Sequence, residues 1–346
     1  MKQKIIFYLL IFFVFTPIFS QLKPITSVVV DTLLSQKISI RAILIDKKKI
    51  WFSANNNRFG YVDIEKGSQY IQKIKVDSLE MEFRSIAQTT TNLFCLSAGN
   101  PAVLYKIFKK DLIPKLVYSE IDKKVFYDSM QFSDNKFGIA LGDPMKGCLS
   151  VIVTNDGGTN WKKIPCSKLP KILDGESVFA SSNSNVILKK QKIWLVTGGK
   201  YSRVFYSPNL GKTWFKFNTP MIKGRAMTGT FTADFYDENV GILSGGDYEN
   251  SSQNFGNKAI TTNGGKTWKL VGENLGHGYA SCIQFVPNSK GKQLVSVGLT
   301  GLFVSNDFAK TWIKLLDDTT LYSIRFLGPK TAVASGKNQI VKLSFN

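Results

Sequence analysis

The stretch Thr261-Thr262-Asn263-Gly264-Gly265-Lys266-Thr267-Trp268 decides the fold, because the chain repeats it. Copies stand at Thr154-Asn155-Asp156-Gly157-Gly158-Thr159-Asn160-Trp161, Ser207-Pro208-Asn209-Leu210-Gly211-Lys212-Thr213-Trp214 and Ser305-Asn306-Asp307-Phe308-Ala309-Lys310-Thr311-Trp312. Each copy is preceded by a β-rich stretch and followed by a short apolar one, the pattern of a hairpin turn. The residue types account for the turn. Asp or Asn in third place accepts bonds from backbone N–H groups further on, and glycine in fifth place tolerates positive φ. Thr then re-enters a strand and Trp covers the hairpin with a large apolar ring.

These segments resemble the Asp-box, or BNR repeat, of sialidase-like β-propellers, whose pattern is S/T-x-D-x-G-x-T-W. Asn160 departs from it in the first copy, Asn209 and Asn263 in the second and third, and Ala309 in the last. A period of roughly 40 to 50 residues with four strands per unit is the signature of a propeller. The repeat extends beyond its marked copies. Second strands that end in small residues recur at Trp51-Phe52-Ser53-Ala54, Leu96-Ser97-Ala98-Gly99, Ile139-Ala140-Leu141-Gly142, Val196-Thr197-Gly198-Gly199, Leu243-Ser244-Gly245-Gly246, Ser296-Val297-Gly298 and Ala334-Ser335-Gly336, which makes seven units. The last, Tyr322 to Phe345, has room for three strands, and Ile25 to Asp31 is expected to supply the fourth and leave no sheet edge unpaired. The expectation is an all-β, seven-bladed propeller of the sialidase-like or WD40/YVTN-like superfold, a single domain over residues 21–346.

Residues 1–20 read as a secretion signal: Lys2 and Lys4 form a basic start, Ile5 to Phe15 an apolar run, and Ile18-Phe19-Ser20 lead to cleavage before Gln21. The run is short for a bilayer and contains Pro17, and no later segment is long and apolar enough to span one. The expected location is therefore outside the cytoplasm, periplasmic or secreted. The four cysteines, Cys95, Cys148, Cys166 and Cys282, lie in the exported part. Cys148 and Cys166 are equidistant from Gly157, so the first turn is expected to bring them opposite each other as a disulfide. Cys95 and Cys282 read as buried strand residues. A formal charge of +20 raises nucleic acid as a partner, yet arginine is confined to Arg41, Arg58, Arg84, Arg203, Arg225 and Arg325. Base readout favours the arginine fork, and the many lysines are scattered through turns and strand ends, which fits a solvated surface better.

Strand order assigns the faces. The Trp-ended turns join third and outermost strands, so they lie at the rim of one face. The opposite face collects the loops between second and third strands and the connections between blades, and propeller ligands usually sit there, around the channel mouth. Its candidates are Asp143, Glu176, Arg203, Arg225, Asp247, Tyr248 and Tyr279. Arg41 and Arg84 join them, at equivalent places near the start of the inner strands of the first two blades, with Asp128 in that register in the third. Arg, Asp, Glu and Tyr around one axis suit a carboxylate, phosphate, sugar or acidic peptide. The alternative for the arginines is a structural network with Asp128 and Glu176, and for Asp143 a turn cap before Pro144. His277 is the sole histidine, and CxxC, P-loop and HExxH patterns do not occur, so neither a metal nor a cofactor is expected.

Four motifs are more specific. Gly175-Glu176-Ser177-Val178-Phe179-Ala180-Ser181-Ser182, then Thr197-Gly198-Gly199 with Arg203-Val204, then Gly245-Gly246-Asp247-Tyr248, then Gly278-Tyr279-Ala280-Ser281-Cys282 resemble exported bacterial relatives of the photosystem II stability and assembly factor Ycf48. The likeness covers essentially the whole chain after the signal. It implies a seven-bladed assembly factor that binds protein partners through arginines on one face, without requiring a photosynthetic role. The oxidoreductase label that some relatives carry has no supporting motif here. The preferred expectation is a non-catalytic, monomeric binding protein that holds a peptide, glycan or protein partner. Arg41, Arg84, Arg203 and Arg225 would meet anions, and Glu176, Asp247, Tyr248 and Tyr279 would orient the ligand. The alternative is a sialidase-like glycoside hydrolase, but Arg41 is followed by Ala42-Ile43 rather than the expected Ile-Pro pair.

Overall fold

A computed structural model describes residues 23–76 and 79–346; the expected secretion signal lies outside the described residues. The described chain forms antiparallel sheets arranged as seven propeller blades. Blades one to six have inner strands at Ala42–Asp46, Phe83–Gln88, Tyr127–Phe132, Val186–Lys189, Thr228–Phe235 and Cys282–Phe285. Burial falls outward along each blade. In the sixth, Leu294–Gly298 and Gly301–Ser305 are wholly buried, whereas Ile313–Leu316 at the rim has no buried residue. Both faces of the middle strands are covered because neighbouring blades pack against them, which is why these strands read as continuous apolar runs.

The seventh blade closes the ring. Leu321–Gly328 is its inner strand, and Thr331–Phe345 runs between it and Val28–Ser39. Phe345 N donates to Lys330 O at 2.8 Å, so the run doubles back, turning at Asn338 with φ 66°. Val28 pairs with Phe345 and Ser39 with Lys337. The closing strand is thus later and longer than the expected Ile25 to Asp31. Ile25 instead exchanges hydrogen bonds with the Asn306 side chain.

The four Trp-ended turns share one hydrogen-bond pattern. Thr154, Ser207, Thr261 and Ser305 accept the N–H four residues on, at 2.8 to 3.0 Å. Asp156, Asn209, Asn263 and Asp307 accept the N–H of Asn160, Thr213, Thr267 and Thr311 at 2.9 to 3.0 Å. The fifth position is left-handed in every copy, including Ala309 at φ 64°. The turns also join blades: Trp194 of blade four stacks on Phe235 of blade five at 4.1 Å and donates to Gly264 O at 2.9 Å. Cys148 and Cys166 are disulfide-bonded, with Cα atoms 5.5 Å apart. Cys95 and Cys282 are buried and free.

Blade four departs from the repeat. Its inner strand is interrupted: Glu176–Ser177 pairs with Gly198–Gly199, residues 178–185 leave the sheet, and Val186–Lys189 resumes it. Gly198 also pairs with Gly229 of blade five, an approach so close that a Cβ on Gly229 would lie 2.8 Å from the Gly198 Cα. The interruption crosses the axis and bonds to every other blade. Ser181 Oγ donates to Phe231 O at 2.9 Å and Ser281 O at 3.1 Å. Asn183 donates to Ile86 O and accepts from Met130 N, each at 2.8 Å. Arg325 donates to Ser182 O at 2.9 Å and Arg41 to Ser181 O at 3.4 Å. Backbone groups that left a ladder are thereby satisfied at the centre of the ring.

Candidate functional site: the axial mouth

Above this crossing, on the face opposite the Trp-ended turns, lies a cavity of 430 Å³. Five of the nine candidate residues line it: Arg41, Arg84, Asp143, Tyr248 and Tyr279. They arrive from blades one, two, three, five and six. The propeller therefore gathers at its axis side chains that are up to 238 positions apart, counting from Arg41 to Tyr279.

The lining is mixed in chemistry. Part of it is cationic. Arg41 lies over the Tyr322 ring, 4.2 Å from its centroid, and Arg84 over Phe126 at 5.7 Å. Arg84 is held by Glu82, to which its Nε donates at 2.7 Å, and Glu82 is itself more than half exposed. An ion pair this open is weak, so an incoming anion can displace it. The rest is largely aromatic. Phe179 stacks on Phe231 at 3.8 Å, Tyr279 meets Phe231 edge-on at 4.8 Å, and half-exposed Tyr248 meets Tyr279 edge-on at 5.2 Å. Met227 completes this part.

Asp143 lines the same cavity. Its Oδ1 accepts the Val178 N–H at 2.8 Å, which fixes the start of the axial crossing. Burial pushes its carboxyl up to about 6, against the pull of that N–H. Asp128 does not line the cavity. It is fully buried, and burial together with neighbouring Asp143 holds its carboxyl well above the ordinary range, with Arg84 opposing. The expected common height of Arg41, Arg84 and Asp128 thus holds for the two arginines at the cavity, while the aspartate is covered.

The other four candidates serve the scaffold. Glu176 and Arg203 are both buried and paired with each other. Glu176 also accepts from Thr197 Oγ1 and Leu173 N, and Arg203 donates to Lys171 O, so neither has a free face for a ligand. Asp247 is buried; its Oδ1 accepts the N–H groups of Glu249 and Asn250, which shapes the 2-3 loop, and Arg225 pairs with its other oxygen. Arg225 is half exposed but outside the cavity lining. The arginines therefore do not converge in threes on one point. Phe126, Phe179, Met227 and Phe231 were not expected. Their signal was present for Phe179, which belongs to a stretch too rich in serine and asparagine to alternate as a strand. Among the described residues, no cluster of three or more His, Cys, Asp or Glu side chains suits a metal, and no helix is long and apolar enough to cross a membrane.

With the geometry in hand, comparison with solved structures is informative. The fold resembles Ycf48. One structure of YCF48 bound to D1 peptide matches with a TM-score of 0.64 at 12% identity, over 93% of this chain and 96% of that one. YCF48 from Cyanidioschyzon merolae matches with a TM-score of 0.66 at 11% identity, over 91% and 98%. The WD40 repeats of RRP9 match with 0.63 at 12% identity, over 92% and 97%. At these identities the likeness establishes the propeller fold. No protein-family model and no curated protein matches the chain.

Proposed function

We propose that this is an exported, non-catalytic binding protein that holds an extended acidic and aromatic segment of a protein partner in the axial mouth. The observation that carries the reading is the mixed lining of one cavity, which combines Arg41 and Arg84 with Phe179, Met227, Tyr248 and Tyr279. Arginine recognises carboxylates with paired, charge-assisted hydrogen bonds, and the aromatic residues take apolar side chains between them. The resemblance of the fold to a Ycf48 structure carrying a D1 peptide supports a peptide as the occupant. Export is supported by the basic and apolar opening of the sequence and by the Cys148–Cys166 disulfide, a bond that persists outside reducing compartments. Binding is preferred over glycoside hydrolysis because Glu176 and Asp247 are already committed to Arg203 and Arg225. Probing an array of immobilised peptides graded in acidic and aromatic content with the purified protein tests this. Retention is expected to require both residue classes and to fall about tenfold in Arg84→Ala. Retention indifferent to peptide composition, or unchanged in Arg84→Ala, overturns the reading.

A further inference from the structure

Asp143 is the sole carboxyl among the residues that line the mouth cavity, and it faces the same space as Arg41 and Arg84. Its Oδ1 is committed to the Val178 N–H, and among the described residues no group bonds its Oδ2. An anion seated against the arginines is therefore brought up to a carboxylate that has one free oxygen. Two negative charges in a partly buried space repel each other strongly. A proton on Oδ2 removes the repulsion and converts Asp143 into an O–H donor toward the ligand.

Resting on the binding reading above, we infer that the mouth takes up a proton together with its anionic segment, and that Asp143 is the group that accepts it. The proton comes from solvent, and no bond of the ligand is made or broken. The charged and titratable groups that share the cavity with Asp143 are consistent with this. Blade two contributes Arg84 with its partner Glu82, blade one Arg41, and blades five and six the Tyr248 and Tyr279 phenols. Blade three presents Asp128 from behind, a carboxyl that burial and Asp143 itself already keep protonated more readily than usual. The crossing segment contributes only the Val178 N–H to it, since the Glu176–Arg203 pair is closed on itself. Burial has already brought Asp143 to about 6, so further negative charge moves its titration through the neutral range. The sign follows from linkage: a group whose proton affinity rises on binding makes binding tighter as pH falls.

A tyrosine-O-sulfate hexapeptide is a suitable probe, because its sulfate stays ionised throughout the window. Titrated into the full-length mature protein, it is expected to bind about fivefold more tightly at pH 5.5 than at pH 7.5. Calorimetry at pH 6.5 in two buffers of different ionisation heat is expected to register uptake of part of a proton per peptide bound. Asp143→Asn keeps an oxygen for the Val178 N–H and is expected to bind without pH dependence, at pH 7.5 at least as tightly as wild type at pH 5.5; Asp143→Ser serves if the asparagine variant folds poorly. Wild-type binding that is flat with pH and takes up no proton overturns the inference and leaves the binding reading intact. A pH dependence kept in full by the variants also overturns it. Absence of binding at every pH overturns both.

Discussion

At the scale of single residues, the mouth separates side chains open to the cavity from side chains closed into the scaffold. Arg84 and Asp143 are open to the cavity, whereas Glu176, next to the lining residue Ser177, is sealed against Arg203. Removing one member of a buried pair strands the other charge, so Arg203→Ala is expected to lower stability by about 3 to 5 kcal/mol in urea titration. Asp143 acts oppositely. Its carboxyl titrates higher in the fold than in an unfolded chain, so its stabilising contribution is complete below the unfolded value near 4 and is lost as pH rises through about 6. Asp143→Asn is accordingly expected to raise stability at pH 7.5, on the order of 2 kcal/mol, and to flatten the pH profile of the melting temperature between pH 4 and 7. A variant that melts below wild type at pH 7.5 would contradict this. The sequence made the charged candidates visible because Arg, Asp and Tyr are sparse on the loop face. It left their roles undetermined, because whether Glu176 faces Arg203 or a ligand depends on side-chain direction at Gly198–Gly199, where blades four and five pair.

Among elements, the Trp-ended turn is the most legible. Its Ser or Thr, its Asx and its Trp are read directly, and the hydrogen bonds recur in all four copies. What the repeat conceals is that the copies differ in what surrounds them. Gly158 and Gly211 are both left-handed, yet a Cβ at Gly158 would lie 2.2 Å from the Phe94 ring, and at Gly211 its nearest neighbour is Trp214 at 3.4 Å. Gly211→Ala is expected to cost about 1 kcal/mol for the backbone alone, and Gly158→Ala about 2 kcal/mol more for the displaced ring. Equal losses on denaturation would show that the two turns are interchangeable. The axial crossing at residues 178–185 is the least legible element, because nothing in a single blade explains it. Its serine and asparagine side chains find their partners on blades two, three, five and six. Asn183→Ala removes two partly buried hydrogen bonds and is expected to cost about 1 to 3 kcal/mol, measured by chemical denaturation.

For the whole molecule, ring closure and the mouth are consequences of one arrangement. Seven blades were readable from the spacing of small-residue strand ends, and the closing strand from the shortness of the last unit. Its register was not readable, because pairing with Thr331–Phe345 is set across 298 to 317 positions, from Ser39 with Lys337 to Val28 with Phe345. Deleting residues 23–39 is expected to leave the last blade with an open edge and to yield aggregated protein, detected by size-exclusion chromatography. The same closure brings Arg41 and Arg84 to one cavity with the aromatic residues, while the Trp-ended turns present Lys212 and Lys266 on the far rim. The direct test of the central claim is the affinity of an acidic, aromatic peptide for wild type, for Arg41→Ala/Arg84→Ala and for Lys212→Ala/Lys266→Ala, each checked for fold by circular dichroism. Loss of at least about tenfold in the arginine variant, with the lysine variant unchanged, is the predicted result. Equal affinity of the arginine variant and wild type, or an equal loss in the lysine variant, would contradict a ligand site at the axial mouth.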